Sequence, residues 1–395
     1  MGRVLYTIVI LTIVWSCNFS SSKEKDSTNS LNYSPPTPGK LDPESFRNYN
    51  RSLSSLMDSS LLRSGFNGAI LIAKDGEVLY EKYVGYAHLQ KKDSVTDSTA
   101  FHLASVSKPF TGVGVLKMVQ ENKLSLDDSL QQFFPGFPYH VVTIKMLLNH
   151  RSGIPNYVYF MANSKWDKNV YVTNQDVLNF IFSDQPKLSF TPGTRFSYSN
   201  TNYVLLAMII EKLSGKPFPV YMKENLFDPL QMHHTYVYTY ADSAKSIPSF
   251  NYNNSLWQND FLDITYGDKN TYSTPRDILK WDQALYTGQV VRLSLLDTAF
   301  TPYSNERPSV HNYGLGFRLL LLPNGKKVIY HFGRWHGFNA AFARLPEEKA
   351  TIIILGNKFN RNIYYTAIKT YNRFGSYDRW KQEEDSETDE NGGRK

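Results

Sequence analysis

The chain has 395 residues, 41% of them hydrophobic and 20% charged, with a formal net charge of +7. That supplies a large core, in one big domain or two intimate ones. A single cysteine, Cys17, excludes an internal disulfide framework. No Lys/Arg run carries the interleaved aromatics of a nucleic-acid groove, so the positive excess is read as mild attraction to an anionic wall or membrane surface.

The N-terminus opens with Met1-Gly2-Arg3 and an apolar run from Val4 to Trp15, too short to span a bilayer and suited to the core of a signal peptide. Cys17 follows Val14-Trp15-Ser16, which resembles a bacterial lipobox, so residues 1–17 are expected to be a leader of the lipoprotein type with Cys17 lipidated. Cleavage without lipidation is the alternative. Residues 18–44, rich in Ser, Asn, Pro and Lys, read as a flexible tether.

A helix is expected from about Ser45 to Ser64. Two apolar runs, Ala69–Ala73 and Val78–Tyr80, then flank Asp75-Gly76, a strong hairpin signal. Ser105-Val106-Ser107-Lys108 opens a mostly apolar helix that runs to Val119. The spacing puts Ser105 and Lys108 on one helix face, one turn apart. A serine hydroxyl needs a neighbour to take its proton, and a lysine does so only if burial or a nearby cation lowers its pKa. The same spacing recurs at Ser20/Lys23 and Ser22/Lys25 in a polar stretch; context selects Ser105.

Further along, Thr191–Asn200 places Tyr198 and Asn200 on a turn before a helix with Tyr203, Leu206, Ile210 and Leu213 on its apolar face and Gly215 as its cap. The pair His233-His234 has no acidic or cysteine partner at suitable spacing, and no metal or cofactor is expected. A second hairpin joins Phe317–Leu322 to Lys327–Tyr330 through Asn324-Gly325, and strands follow at Ala340–Leu345 and Thr351–Leu355. His331-Phe332-Gly333 extends the strand before them, and a strand glycine lets another backbone, such as a substrate's, come close. Residues 376–395 read as a disordered polar tail. The expected fold class is α+β: an antiparallel sheet built from N- and C-terminal strands and flanked by helices, with a large mainly helical insertion from about Ala104 to Ser309 and an active site where they meet.

Taken in order, Ser105-Val106-Ser107-Lys108, Tyr198-Ser199-Asn200 and His331-Phe332-Gly333 resemble the three motifs of the serine β-lactamase and penicillin-binding protein superfamily, in its class C β-lactamase and DD-carboxypeptidase branch. Leu147–Pro155, Asn225–Met232, Tyr272–Asp277 and Tyr313–Phe317 are similar to further blocks of that family, so the hydrolase-like domain spans 45–375. The resemblance implies that Ser105 is acylated, that Lys108 accepts its proton or tunes Tyr198, and that Tyr198 protonates the leaving group and activates the deacylating water; which of the two is the base stays open. It further implies that Asn200 holds a substrate amide, that His331 takes the place of the family's usual lysine beside Gly333, and that the amides of Ser105 and Arg334 form the oxyanion hole. Phe332 and Arg334-Trp335-His336 depart from the family's small residues and are expected to narrow the acyl-binding face and disfavour β-lactam hydrolysis. The implied activity is cell-envelope acyl transfer on a D-alanyl peptide, a β-lactam or a small ester. An esterase of the same fold and a non-catalytic wall-binding protein are the alternatives.

Overall fold

The computed structural model describes residues 35–377. Helix α1 (Pro43–Ser60) starts where the sequence dictates: the Asp42 carboxylate accepts from the amides of Glu44 and Ser45, and Pro43 fills the first turn. It ends at Ser60, and a 3₁₀ turn (Leu62–Ser64) follows that closes on Gly65, whose φ is 74°. Strands β1 (Gly68–Lys74) and β2 (Glu77–Val84) close through Asp75 and Gly76, both at positive φ. That turn matches the right-handed twist of the paired strands.

After the short strand β3 (Phe101–His102) comes α2 (Ser107–Gln120), buried on every side as far as Met118. The intervening region carries α3 (Asn174–Asp184), α4 (Thr201–Ser214), strands β4 (Tyr236–Val237) and β5 (Thr271–Ser273), and α5 (Pro275–Thr287), besides shorter helices. Strands β3, β5 and β4 pair into a small sheet of their own, so the expected helical insertion holds a β element as well. The chain returns through β6 (His311–Tyr313), β7 (Arg318–Leu321), β8 (Lys327–Trp335), β9 (Phe338–Leu345) and β10 (Ala350–Gly356) to α6 (Asn362–Tyr371).

The main sheet has seven strands in the order β2-β1-β10-β9-β8-β7-β6, every neighbouring pair antiparallel. Chain ends thus supply the sheet and the middle supplies the helices. Alternation along each strand divides the core in two. In β1, Ala69, Leu71 and Ala73 face the helical region, while Ile70 and Ile72 face α1 and α6.

Three expectations are corrected. Residues 39–44, assigned to the tether, are held to the body: the Gly39 amide donates to the Asp75 carbonyl (2.7 Å) and the Leu41 amide to Glu77 Oε2 (2.8 Å). The polar tail does not begin at 376, because Tyr377 is buried and its hydroxyl donates to Glu348. Phe332 does not narrow the acyl-binding face: it packs between Tyr330 and Tyr364 on the α1/α6 side, since the strand's alternation turns it away from the serine. The expected leader, Cys17 and the remainder of the tether and tail lie outside the described residues. Among the described residues no helix is long and apolar enough to cross a membrane.

Helix α5 is pinned to the sheet by Asp282 and Arg344, whose side chains are 0% and 2% exposed and meet at 2.5 Å. Thr351 also donates to Asp282 Oδ2. Replacing Asp282 by Ala strands a buried guanidinium, so unfolding in denaturant is expected to show a loss of about 3–5 kcal/mol. A loss below about 1 kcal/mol would contradict this role.

Candidate active site

Ser105 sits in a 3₁₀ turn (Ala104–Val106) that runs directly into α2. The turn is anchored on the small sheet, because the Leu103 amide donates to the Thr271 carbonyl (2.8 Å) and the Ala104 amide to His102 Nδ1 (3.0 Å). Ala104 has φ 48°, a left-handed conformation that costs a residue with a Cβ. The strain is placed immediately before the serine.

Lys108, one turn along, is fully buried. Its Nζ lies 3.2 Å from Ser105 Oγ, 2.7 Å from Asn200 Oδ1 and 2.9 Å from the Asp268 carbonyl. Burial pulls its pKa down to about 7, against the attraction of Asp268 and with help from the cations Lys269 and Arg318. A neutral amine has two N–H donors and one lone pair. Asn200 and the Asp268 carbonyl accept the two donors, which leaves the lone pair for the serine hydroxyl.

Tyr198 approaches from the other side and donates its hydroxyl to Ser105 Oγ at 2.9 Å. Burial, then Tyr313, raises its pKa well above the ordinary phenol value, so it rests as a neutral donor. His150 holds it there. That ring lies 4.4 Å from the Tyr198 ring between centroids, and its Nδ1 accepts from the Ser199 amide (3.1 Å) and from Asn202 Nδ2 (3.2 Å). Burial and neighbouring cations keep His150 far below its ordinary pKa, as an imidazole that accepts must be.

Strand β8 passes close by. A Cβ on Gly333 would meet the Leu103 carbonyl at 2.3 Å and the Ser105 amide nitrogen at 2.8 Å. The backbone that comes close to this glycine is the serine turn itself. Ser105, Asn200, Asp268, Lys269, Arg334 and Trp335 line the pocket in front of the serine. His331 stands behind it, 1% exposed, with Nε2 3.1 Å from the Tyr313 hydroxyl, Nδ1 2.8 Å from the Phe332 carbonyl and its ring 6.3 Å from that of Tyr198. Burial keeps it neutral, so it does not supply the charge of a lysine. Among the described residues no group of three His, Cys, Asp or Glu side chains is arranged to hold a metal ion.

The sequence motifs single out Ser105, Lys108, Tyr198 and Asn200, and the fold joins these four in one hydrogen-bonded chain, Tyr198 to Ser105 to Lys108 to Asn200. Asp268, Lys269 and Arg318 are not visible that way. Asp268-Lys269 precedes a recognisable block yet reads like any solvated charge pair. Arg318 lies in an apolar strand, where its guanidinium comes 5.4 Å from the Tyr198 ring centroid.

Comparison with known proteins extends this geometry. The chain is 33% identical over 339 residues to penicillin-binding protein 4* of Bacillus subtilis (strain 168), covering 82% of this chain and 75% of the relative. It is similar in fold to an octameric penicillin-binding protein homologue from Pyrococcus abyssi, with TM-score 0.70 and 26% identity over 82% of this chain and 76% of that one. The D-amino acid amidase from Ochrobactrum anthropi SV3, solved with L-phenylalanine amide, shares the fold at TM-score 0.66 and 24% identity, over 83% of this chain and 97% of that one. The family model described as Beta-lactamase matches residues 56–373, and the chain belongs to that family of serine hydrolases.

Proposed function

We propose that the protein is an exported cell-envelope hydrolase that opens an amide, such as that of a D-alanyl peptide, through an acyl-enzyme on Ser105. The observation that carries this reading is the double engagement of Ser105 Oγ, by Lys108 Nζ at 3.2 Å and Tyr198 Oη at 2.9 Å, with Lys108 poised near neutrality. The names of the relatives, penicillin-binding proteins and a D-amino acid amidase, support an amide substrate. Lipidation of Cys17 would keep the domain at the membrane surface, within reach of the wall.

Chemically, neutral Lys108 takes the Ser105 proton while Oγ bonds to the substrate carbonyl carbon. The oxyanion that forms is held by the amides of Ser105 and Arg334. The carbon–nitrogen bond then breaks, and Tyr198 gives its proton to the departing amine, recovering one from Lys108. Water repeats the sequence in reverse to release the acid and restore the serine. Arg334 and Trp335 at the pocket wall are read as disfavouring hydrolysis of a fused bicyclic lactam, not its acylation of Ser105.

Intact-mass spectrometry of the soluble domain exposed to a penicillin, and separately to a fluorophosphonate, is expected to show one adduct that Ser105→Ala abolishes together with turnover, by at least about 10³-fold. Absence of any adduct with both probes would sink the reading and favour a binding protein. Because only the neutral amine accepts a proton, kcat/KM is expected to fall about tenfold per pH unit below about 7 and to level off above it. A profile that stays flat from pH 5 to 8 would remove Lys108 from the base role. Gly333→Ala pushes β8 against the serine turn, and the acylation rate should drop about 10²-fold while circular dichroism stays that of the folded protein. Unchanged acylation would show that the turn tolerates displacement.

A further inference from the structure

We propose that the buried Asp268–Lys269 pair is a charge-balancing device whose two members act in opposite senses on the pH at which Lys108 becomes a base; this rests on the reading of Lys108 as the acceptor of the serine proton. The pair is fixed by its backbone. The Asp268 carbonyl accepts from Lys108 Nζ (2.9 Å), and the preceding carbonyl, that of Gly267, accepts from Thr111 Oγ1 (2.7 Å) on α2. Gly267 has φ 94°, and a Cβ there would meet the Tyr203 carbonyl at 2.3 Å, so the segment lies flat against α4.

The side chains are 2% exposed at Asp268 and 4% at Lys269, with 3.6 Å between Lys269 Nζ and Asp268 Oδ2. Tyr157 donates to the same oxygen at 2.9 Å, and Lys269 donates to the hydroxyls of Tyr157 and Thr265. Its ammonium lies 4.6 Å from the Trp335 ring centroid. Among the described residues Asp268 Oδ1 is buried without a hydrogen-bond partner. Two charges buried with a carboxylate oxygen left unsatisfied are an expensive way to fill space, since apolar residues of similar volume commonly hold a fold as well or better. What apolar residues do not supply is an electric field.

Lys108 is faced by titratable and charged groups from several elements. Ser105 comes from its own turn, Tyr198 and Tyr203 from the loop and start of α4, His150 from the segment before Gly153, Arg318 from β7 and His331 from β8. Burial holds both histidines neutral and both phenols protonated. The charges left to act on Lys108 are Asp268, which favours its protonation, and Lys269 and Arg318, which oppose it. Asp268 and Lys269 are positioning residues of opposite sign.

Opposite signs make the test sharp. Carbon-13 NMR of the unliganded protein labelled at the lysine ε-carbons, with Lys108→Arg to assign the resonance, reads the titration directly. Lys269→Met should move the Lys108 pKa up by about one unit and Asp268→Asn down by about one, whereas Lys269→Arg should keep the wild-type value. Folded single variants with unmoved titration, or with shifts of the same sign, overturn the proposal. Should either single variant fail to fold, Asp268→Asn/Lys269→Met leaves no unpaired buried charge. Its acid limb in kcat/KM should stay within about half a unit of wild type, and displacement by a unit or more overturns the proposal. Kinetics on the same variants separate this inference from the reading beneath it. If the NMR shifts appear as predicted and the acid limb does not follow them, the pair stands and the role of Lys108 as base falls.

Discussion

Everything at this site depends on one lysine being kept dry. An exposed Lys108 would be charged at neutral pH and would have no lone pair to offer a hydroxyl; fully buried between α2 and α4, it is drawn to about 7. The cost of hiding an amine is offset by giving both remaining N–H groups acceptors, Asn200 and the Asp268 carbonyl. The lone pair is left facing the Ser105 hydroxyl, 3.2 Å away.

The rest of the fold keeps that arrangement in place. The helical region provides the lysine and the tyrosine, the sheet provides β8, and the serine turn is wedged where they meet. Gly333 allows the wedge to be tight, and the left-handed Ala104 shows that the backbone is held out of its ordinary range to aim Ser105. His150 plays a similar part for Tyr198, as a neutral ring packed 4.4 Å from it and bonded to the next residue's amide. A hydrogen-bonded clamp suits a loop that must present a phenol at a fixed place.

Much of this was legible in the chain. Asp75-Gly76 and Asn324-Gly325 marked hairpins because few other dipeptides take up such turns without strain, and alternating or continuous apolar runs marked the strands. Ser105, Lys108 and Tyr198 were legible because their spacing fell inside apolar surroundings, which implied burial. Phe332 was misread because its residue type was visible but its strand face was not; one step along β8 turns it toward α1 and α6. Asp268, Lys269 and Arg318 were hidden for a related reason. A charged residue looks solvated in sequence, and only the tertiary packing shows that these three lie around one amine.

The most direct test is neutron diffraction from deuterium-exchanged crystals of the unliganded protein grown at about pH 8, which locates the protons at Lys108. Two deuterons on Nζ, directed at Asn200 Oδ1 and the Asp268 carbonyl, with the Ser105 hydroxyl deuteron pointing at Nζ, are predicted. Three deuterons on Nζ, one of them directed at Ser105 Oγ, would show a charged lysine and contradict the account.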